Sequence, residues 1–149
     1  MKSLTLVREI RARQSIVFEA LSSVEGLTSW WGPDDLPVLC ASADIRVGGE
    51  FRVRFRRTDG REHECAGEFL EIRAPELIVI SWRWAHGGDP DERDRTSYVE
   101  FRLRPIAQGT ELTLVHRDLA SGASVRSHRG GWAGALSKLP RVFAASHTE

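Results

Sequence analysis

At 149 residues, 41% apolar and 28% charged, the chain suits one domain with one core and is too apolar for intrinsic disorder. Its 21 basic and 21 acidic residues cancel and form no basic stripe, so a nucleic-acid partner is not expected. No stretch approaches the roughly 20 apolar residues of a membrane span, residues 1–6 run into charged Arg8 and Glu9 without an apolar leader, and two cysteines, Cys40 and Cys65, are too few for a disulfide scaffold; a cytoplasmic protein without a membrane partner is expected.

Residues 3–11, bracketed by Leu4, Leu6, Glu9 and Ile10, read as a first extended segment. Ile16-Val17-Phe18-Glu19-Ala20-Leu21 is a short helical run. Ser22 and Glu25 stand at capping-box spacing, so a second short helix is predicted to start there and reach Trp30 and Trp31. Gly32-Pro33 stops it. The period then changes to two. Phe51, Val53 and Phe55 alternate with Arg52, Arg54 and Arg56, the mark of a strand with one buried face. Asp59-Gly60 is a hairpin-turn signal; a strand over 62–72 follows, and Ala74-Pro75 breaks it. Ile78, Ile80, Trp82 and Trp84 share the inner face of the next strand. Residues 86–94 are polar and glycine-rich, and an exposed, mobile loop is expected there. Val99, Phe101 and Leu103 line the following strand, Gln108-Gly109 turns the chain, and Leu112, Leu114 and His116 share a face of the last strand.

After Ser121-Gly122 the spacing becomes helical. Val125, His128, Trp132, Leu136, Leu139 and Phe143 make one stripe. Pro140 inside it predicts a kink or an end near Leu139, and Gly130, Gly131 and Gly134 each weaken the helix by roughly 1 kcal/mol relative to alanine. Residues 146–149 are expected to fray. Short turns between successive strands make the sheet antiparallel, and the long C-terminal helix has a stripe wide enough to pack on it, which is an α+β architecture with two short N-terminal helices.

These motifs, in this order, resemble the START-like (SRPBCC) superfamily, and within it the homologues of the activator of heat-shock-protein ATPase. The residues that carry the resemblance are Val17-Phe18 with Ala20, the pair Trp30-Trp31, Val47-Gly48-Gly49 before Phe51, and Gly67 to Glu71. Pro75-Glu76 with Ile78, Ile80, Ser81 and Trp82, Gly109-Thr110 with Leu112-Thr113-Leu114 and His116, and His128 with Gly131-Trp132 complete it. The resemblance implies a helix-grip fold, a curved antiparallel sheet around the C-terminal helix with a cavity between them. The superfamily includes lipid carriers, hormone receptors, polyketide cyclases and chaperone regulators, and a shared fold does not choose among them.

The candidate lining of such a cavity is Phe51, Val53, Phe69, Trp82, Trp84, Phe101, His116, His128 and Trp132. Aromatic rings there could stack on a flat apolar ligand, or could fill the core by themselves. His116 and His128 could orient a ligand or act as acid and base, or be hydrogen-bonded structural histidines. Glu71 would join them if it shares the inward face of Phe69. His63 and Cys65 share a strand face, but two ligands do not close a metal site, and none is expected. With no nucleophile elbow, phosphate loop or dinucleotide fingerprint, no cofactor is expected and no catalytic residue is assigned. The favoured function is binding of a small apolar molecule by a monomer or homodimer. A cavity enzyme of the cyclase or dehydratase kind and a chaperone-activating interaction module are the alternatives.

Overall fold

The computed structural model describes residues 2–147. Strand β1 (Lys2–Ile10) leads into helices α1 (Gln14–Leu21) and α2 (Val24–Trp30), then strands β2 (Val38–Ala43), β3 (Glu50–Arg56), β4 (Glu62–Arg73), β5 (Leu77–His86), β6 (Ser97–Ile106) and β7 (Gly109–Leu119). Helices α3 (Gly122–Leu136) and α4 (Leu139–His147) complete the order. The seven strands form one antiparallel sheet in the order β1-β7-β6-β5-β4-β3-β2.

The alternation read from the sequence sets the two faces of this sheet. Phe51, Val53 and Phe55 of β3, Val99, Phe101 and Leu103 of β6, and Leu112 and Leu114 of β7 are buried in one apolar cluster with Trp132, Leu136, Leu139 and Phe143 of the C-terminal helices. The outer face carries cross-strand ion pairs, among them Arg52 with Glu64, Arg54 with Glu62 and Arg104 with Glu111. These pairs stay solvated, so each contributes little to stability. Their main effect is to keep that face wet, so that the apolar face has one side to bury.

Several boundaries differ from expectation. Ser22 does not cap α2. Its hydroxyl donates to the Phe18 carbonyl and finishes α1, and Ser23 is the N-cap, accepting from the Gly26 N–H at 3.0 Å. Glycine is required at 26 because a Cβ would lie 2.4 Å from the Ala20 carbonyl oxygen. Strand β2 was not foreseen. It is an edge strand with Leu39 and Cys40 exposed, so its residues carry no readable alternation. The C-terminal helix breaks after Leu136, just ahead of Leu139 as the proline suggested, and Pro140 falls in the first turn of α4, where its missing N–H costs nothing. Ser146 and His147 continue α4, whereas Thr148 and Glu149, part of the segment expected to fray, lie outside the described residues.

Glu71 does not share the inward face of Phe69. Pairing of β4 with β5 shifts between Phe69↔Ile80 and Glu71↔Val79, which leaves Leu70 as an extra residue. One extra residue flips the following side chains to the other face. Glu71 therefore points outward, half-exposed and paired with Arg73 at 2.7 Å, and Ile72 takes the inward place opposite Ile78.

Candidate ligand pocket

A pocket of about 200 Å³ opens where the ends of β3, β4 and β5 meet α3. Its floor is indole. Trp31 follows α2, Trp82 lies on β5 and Trp132 on α3, with ring centroids 5.8 Å apart for Trp31–Trp82, 5.7 Å for Trp31–Trp132 and 5.1 Å for Trp82–Trp132. All three are buried. One wall is Phe55, His63 and Trp84, and the other is His128, Gly131 and Ala135. Pro33 and the segment Gly88-Asp89-Pro90 form the rim with Arg57 and Ser127. Missing side chains make part of this space: Gly131 faces Pro33, and a Cβ at Gly88 would sit 2.1 Å from Cδ2 of Trp84, so only glycine lets the backbone lie on that indole.

The histidines are tied into the wall by defined hydrogen bonds. His128 Nε2 accepts from the Trp84 indole N–H at 3.2 Å. Its Nδ1 lies 2.8 Å from the Ser124 carbonyl and so carries the proton. Ser124 in turn donates to Glu92, whose carboxylate also accepts from the Ala120 N–H at 2.8 Å. His116 is fully buried behind the pocket. Its Nδ1 accepts from the Trp132 indole at 3.0 Å, which places its proton on Nε2, 2.7 Å from the Ser97 hydroxyl. Burial, helped by the nearby His128, holds the His116 imidazole well below its ordinary pKa, so it is neutral at pH 7. The Trp82 indole N–H has no hydrogen-bond partner among the described residues.

Of the residues expected to line a cavity, Trp82, Trp84, His128 and Trp132 meet at this pocket. Phe51, Phe69 and Phe101 surround a separate gap of about 10 Å³ deeper in the core with Leu21 and Leu27, too small for a ligand, and Val53 is fully buried in the core. Cys65 is also walled in: the Trp31 indole donates to its sulfur at 3.2 Å, and burial pushes its thiol up to about 12. No group of three metal-ligating side chains occurs among the described residues. The loop over 86–94 is mostly exposed, but Glu92 within it is buried, 3% accessible, and anchors a short 3-10 turn (Pro90–Glu92) to the start of α3. Sequence reasoning missed Trp31, Phe55, Arg57 and Ser127 as lining residues, and the role of His63. The available signal was Gly87-Gly88, since paired glycines mark a close backbone approach.

A curved antiparallel sheet gripping a C-terminal helix, with an aromatic pocket between them, defines a START-like helix-grip protein. A model of the family described as activator of Hsp90 ATPase homolog 1-like protein matches residues 11–144, and the chain belongs to that family. Among solved structures it is similar to an AHSA1 protein from Silicibacter pomeroyi, with 28% identity, a TM-score of 0.83, and coverage of 98% of this chain and 100% of that one. A protein from Chromobacterium violaceum shares the fold at 23% identity and a TM-score of 0.79, over 94% of this chain and 95% of its own. An AHSA1-like protein from Aeromonas hydrophila does so at 19% and 0.77, over 99% and 96%. No curated protein matches. No helix among the described residues is long and apolar enough to cross a membrane.

Proposed function

We propose that the chain binds one small aromatic molecule in the pocket floored by Trp31, Trp82 and Trp132. The observation that carries this reading is an indole-floored space of about 200 Å³ beside a helix that has glycine where side chains would fill it. An apolar cavity of roughly 150 Å³ is enough for benzene, so one substituted ring or a fused pair is the right size. Burying apolar surface gains roughly 25 cal/mol per Å², and after the cost of immobilising the ligand, micromolar affinity is the natural range. A cavity enzyme has less support. Of the three acid–base candidates read from the sequence, Glu71 lies on the outer face and His116 behind the pocket wall, and His128 alone lines the pocket. Titration with a panel of aromatic compounds tests the binding reading. Tryptophan fluorescence is expected to change saturably, and Trp132→Phe to reduce the change. A panel that moves neither fluorescence nor melting temperature would refute it.

A further inference from the structure

The mouth of the pocket is built differently from its floor, and the difference concerns hydrogen bonding. His63 stacks on Phe55 with ring centroids 5.7 Å apart and 28° between planes, and it meets Trp84 edge-on at 6.1 Å. Its Nδ1 accepts from the Gly88 N–H at 2.7 Å. Two glycines deliver that N–H. Gly87 has φ +65° and Gly88 φ +79°; a Cβ on the first would lie 2.5 Å from His63 Nδ1 and on the second 2.1 Å from Trp84. With Nδ1 occupied as an acceptor, a neutral ring must carry its proton on Nε2, and no residue among those described bonds to Nε2. The pocket therefore presents one fixed N–H donor. Beside it, Arg57 lines the same mouth. Its Nε holds Asp34 at 2.9 Å, and Asp34 also accepts from the Thr58 N–H, so the guanidinium is oriented before any ligand arrives. Asp89, across the rim, is turned to its own chain: one carboxylate oxygen accepts from the Asp91 N–H at 3.0 Å.

Resting on the binding reading above, we infer that His63 and Arg57 select an aromatic ligand carrying a carboxylate on one edge. Its ring enters among the indoles and its oxygens meet the His63 N–H and the Arg57 guanidinium at the mouth. Burial and the Arg57 charge both hold His63 below its ordinary pKa, which keeps the ring a one-proton donor at pH 7. A hydrogen bond to an ionised oxygen is stronger than one between neutral groups, so the acid is favoured over its hydrocarbon.

Calorimetric titration with 2-naphthoate, 2-methylnaphthalene and 2-naphthylmethylamine tests this. The naphthoate is expected to bind roughly tenfold more tightly than the hydrocarbon, and the amine most weakly. His63→Phe, which keeps a ring against Phe55, is expected to remove most of the naphthoate's advantage over the hydrocarbon, whose own affinity stays within about twofold. Arg57→Gln, a substitution at an exposed residue, should reduce the preference in the same direction even if His63→Phe folds poorly. Hydrocarbon binding without a preference for the acid, or an undiminished preference in both variants, overturns this inference and leaves the binding reading standing. Absence of binding by all three compounds overturns both.

Discussion

At the scale of single residues, Trp132 ties the C-terminal helix to the sheet and to the tryptophan pair after α2. It touches Trp30, Trp31, Trp82 and Phe101 and donates to His116. Truncation to alanine removes a large buried ring and leaves the His116 Nδ1 without its donor, so Trp132→Ala is expected to cost about 3–5 kcal/mol in urea unfolding. A loss below about 1 kcal/mol would mean the ring is not part of the core. His116 sets a pH dependence whose sign follows from its environment. Its folded pKa lies below the unfolded value of about 6.5, so the unfolded chain binds the extra proton first. Stability is therefore full above that value and falls as the pH drops below it. Half-buried His63 is shifted in the same direction and adds to the effect. The urea midpoint should decrease between pH 7.5 and 5.5, and His116→Gln, which retains an acceptor and a donor, should flatten part of that slope.

Among the elements, α3 gives the sharpest contrast. Gly130 and Gly134 sit on the same helix with the same poor propensity, yet a Cβ at 130 meets nothing within 4 Å, and one at 134 would lie 2.0 Å from the Pro33 carbonyl oxygen. Gly130→Ala is expected to stabilise by up to about 1 kcal/mol, whereas Gly134→Ala should destabilise, because backbone must move to admit it. Thermal melts of the two variants check this directly; equal shifts would show that Pro33 does not press on α3. The turn at 90–92 is tied to the start of α3 by Glu92 and also by Asp91, which accepts from the Ser121 hydroxyl. Glu92 binds the Ala120 N–H and the Ser124 hydroxyl, so Glu92→Ala is expected to cost about 2–3 kcal/mol. Hydrogen exchange at the Ala120 amide should accelerate, and an unchanged rate would place the anchor elsewhere. Lys138 does comparable work on the other rim, donating to the carbonyls of Trp31, Gly32 and Asp34 at 3.0, 2.8 and 2.8 Å. Nothing local in the sequence announces a cation that serves carbonyls more than a hundred residues away.

For the whole molecule, the parts legible in the sequence were those governed by period and punctuation. Alternation in β3, β5, β6 and β7, the Asp59-Gly60 turn and the 125–143 stripe led to the sheet and its helices because a two-sided surface must repeat every two residues or every three to four. The bulge at Leu70 was missed because a strict two-residue repeat was carried on from Phe69 to Glu71, and the shift that breaks it shows in the pairing with β5. The pocket was half legible. Trp82 and Trp132 of its floor lay on predicted faces, but Trp31, Arg57, Asp89 and Ser127 come from four separate segments that only the folded chain brings together. One feature of the sheet order also bears on how the chain is made. Strand β1 has β7 as its sole neighbour, with Thr5 opposite Val115, about 110 residues later. At ~5–20 residues per second of synthesis, the first strand waits roughly 5–20 s for its partner to leave the ribosome. Throughout that interval Leu4, Leu6 and Ile10 have no sheet to cover them. A nascent chain stalled before β7 emerges should therefore be protease-sensitive along its whole emerged length, and one stalled after α3 resistant. Growth of this protein in a cell lacking nascent-chain chaperones is where that delay would be felt, as aggregates that begin at the amino terminus.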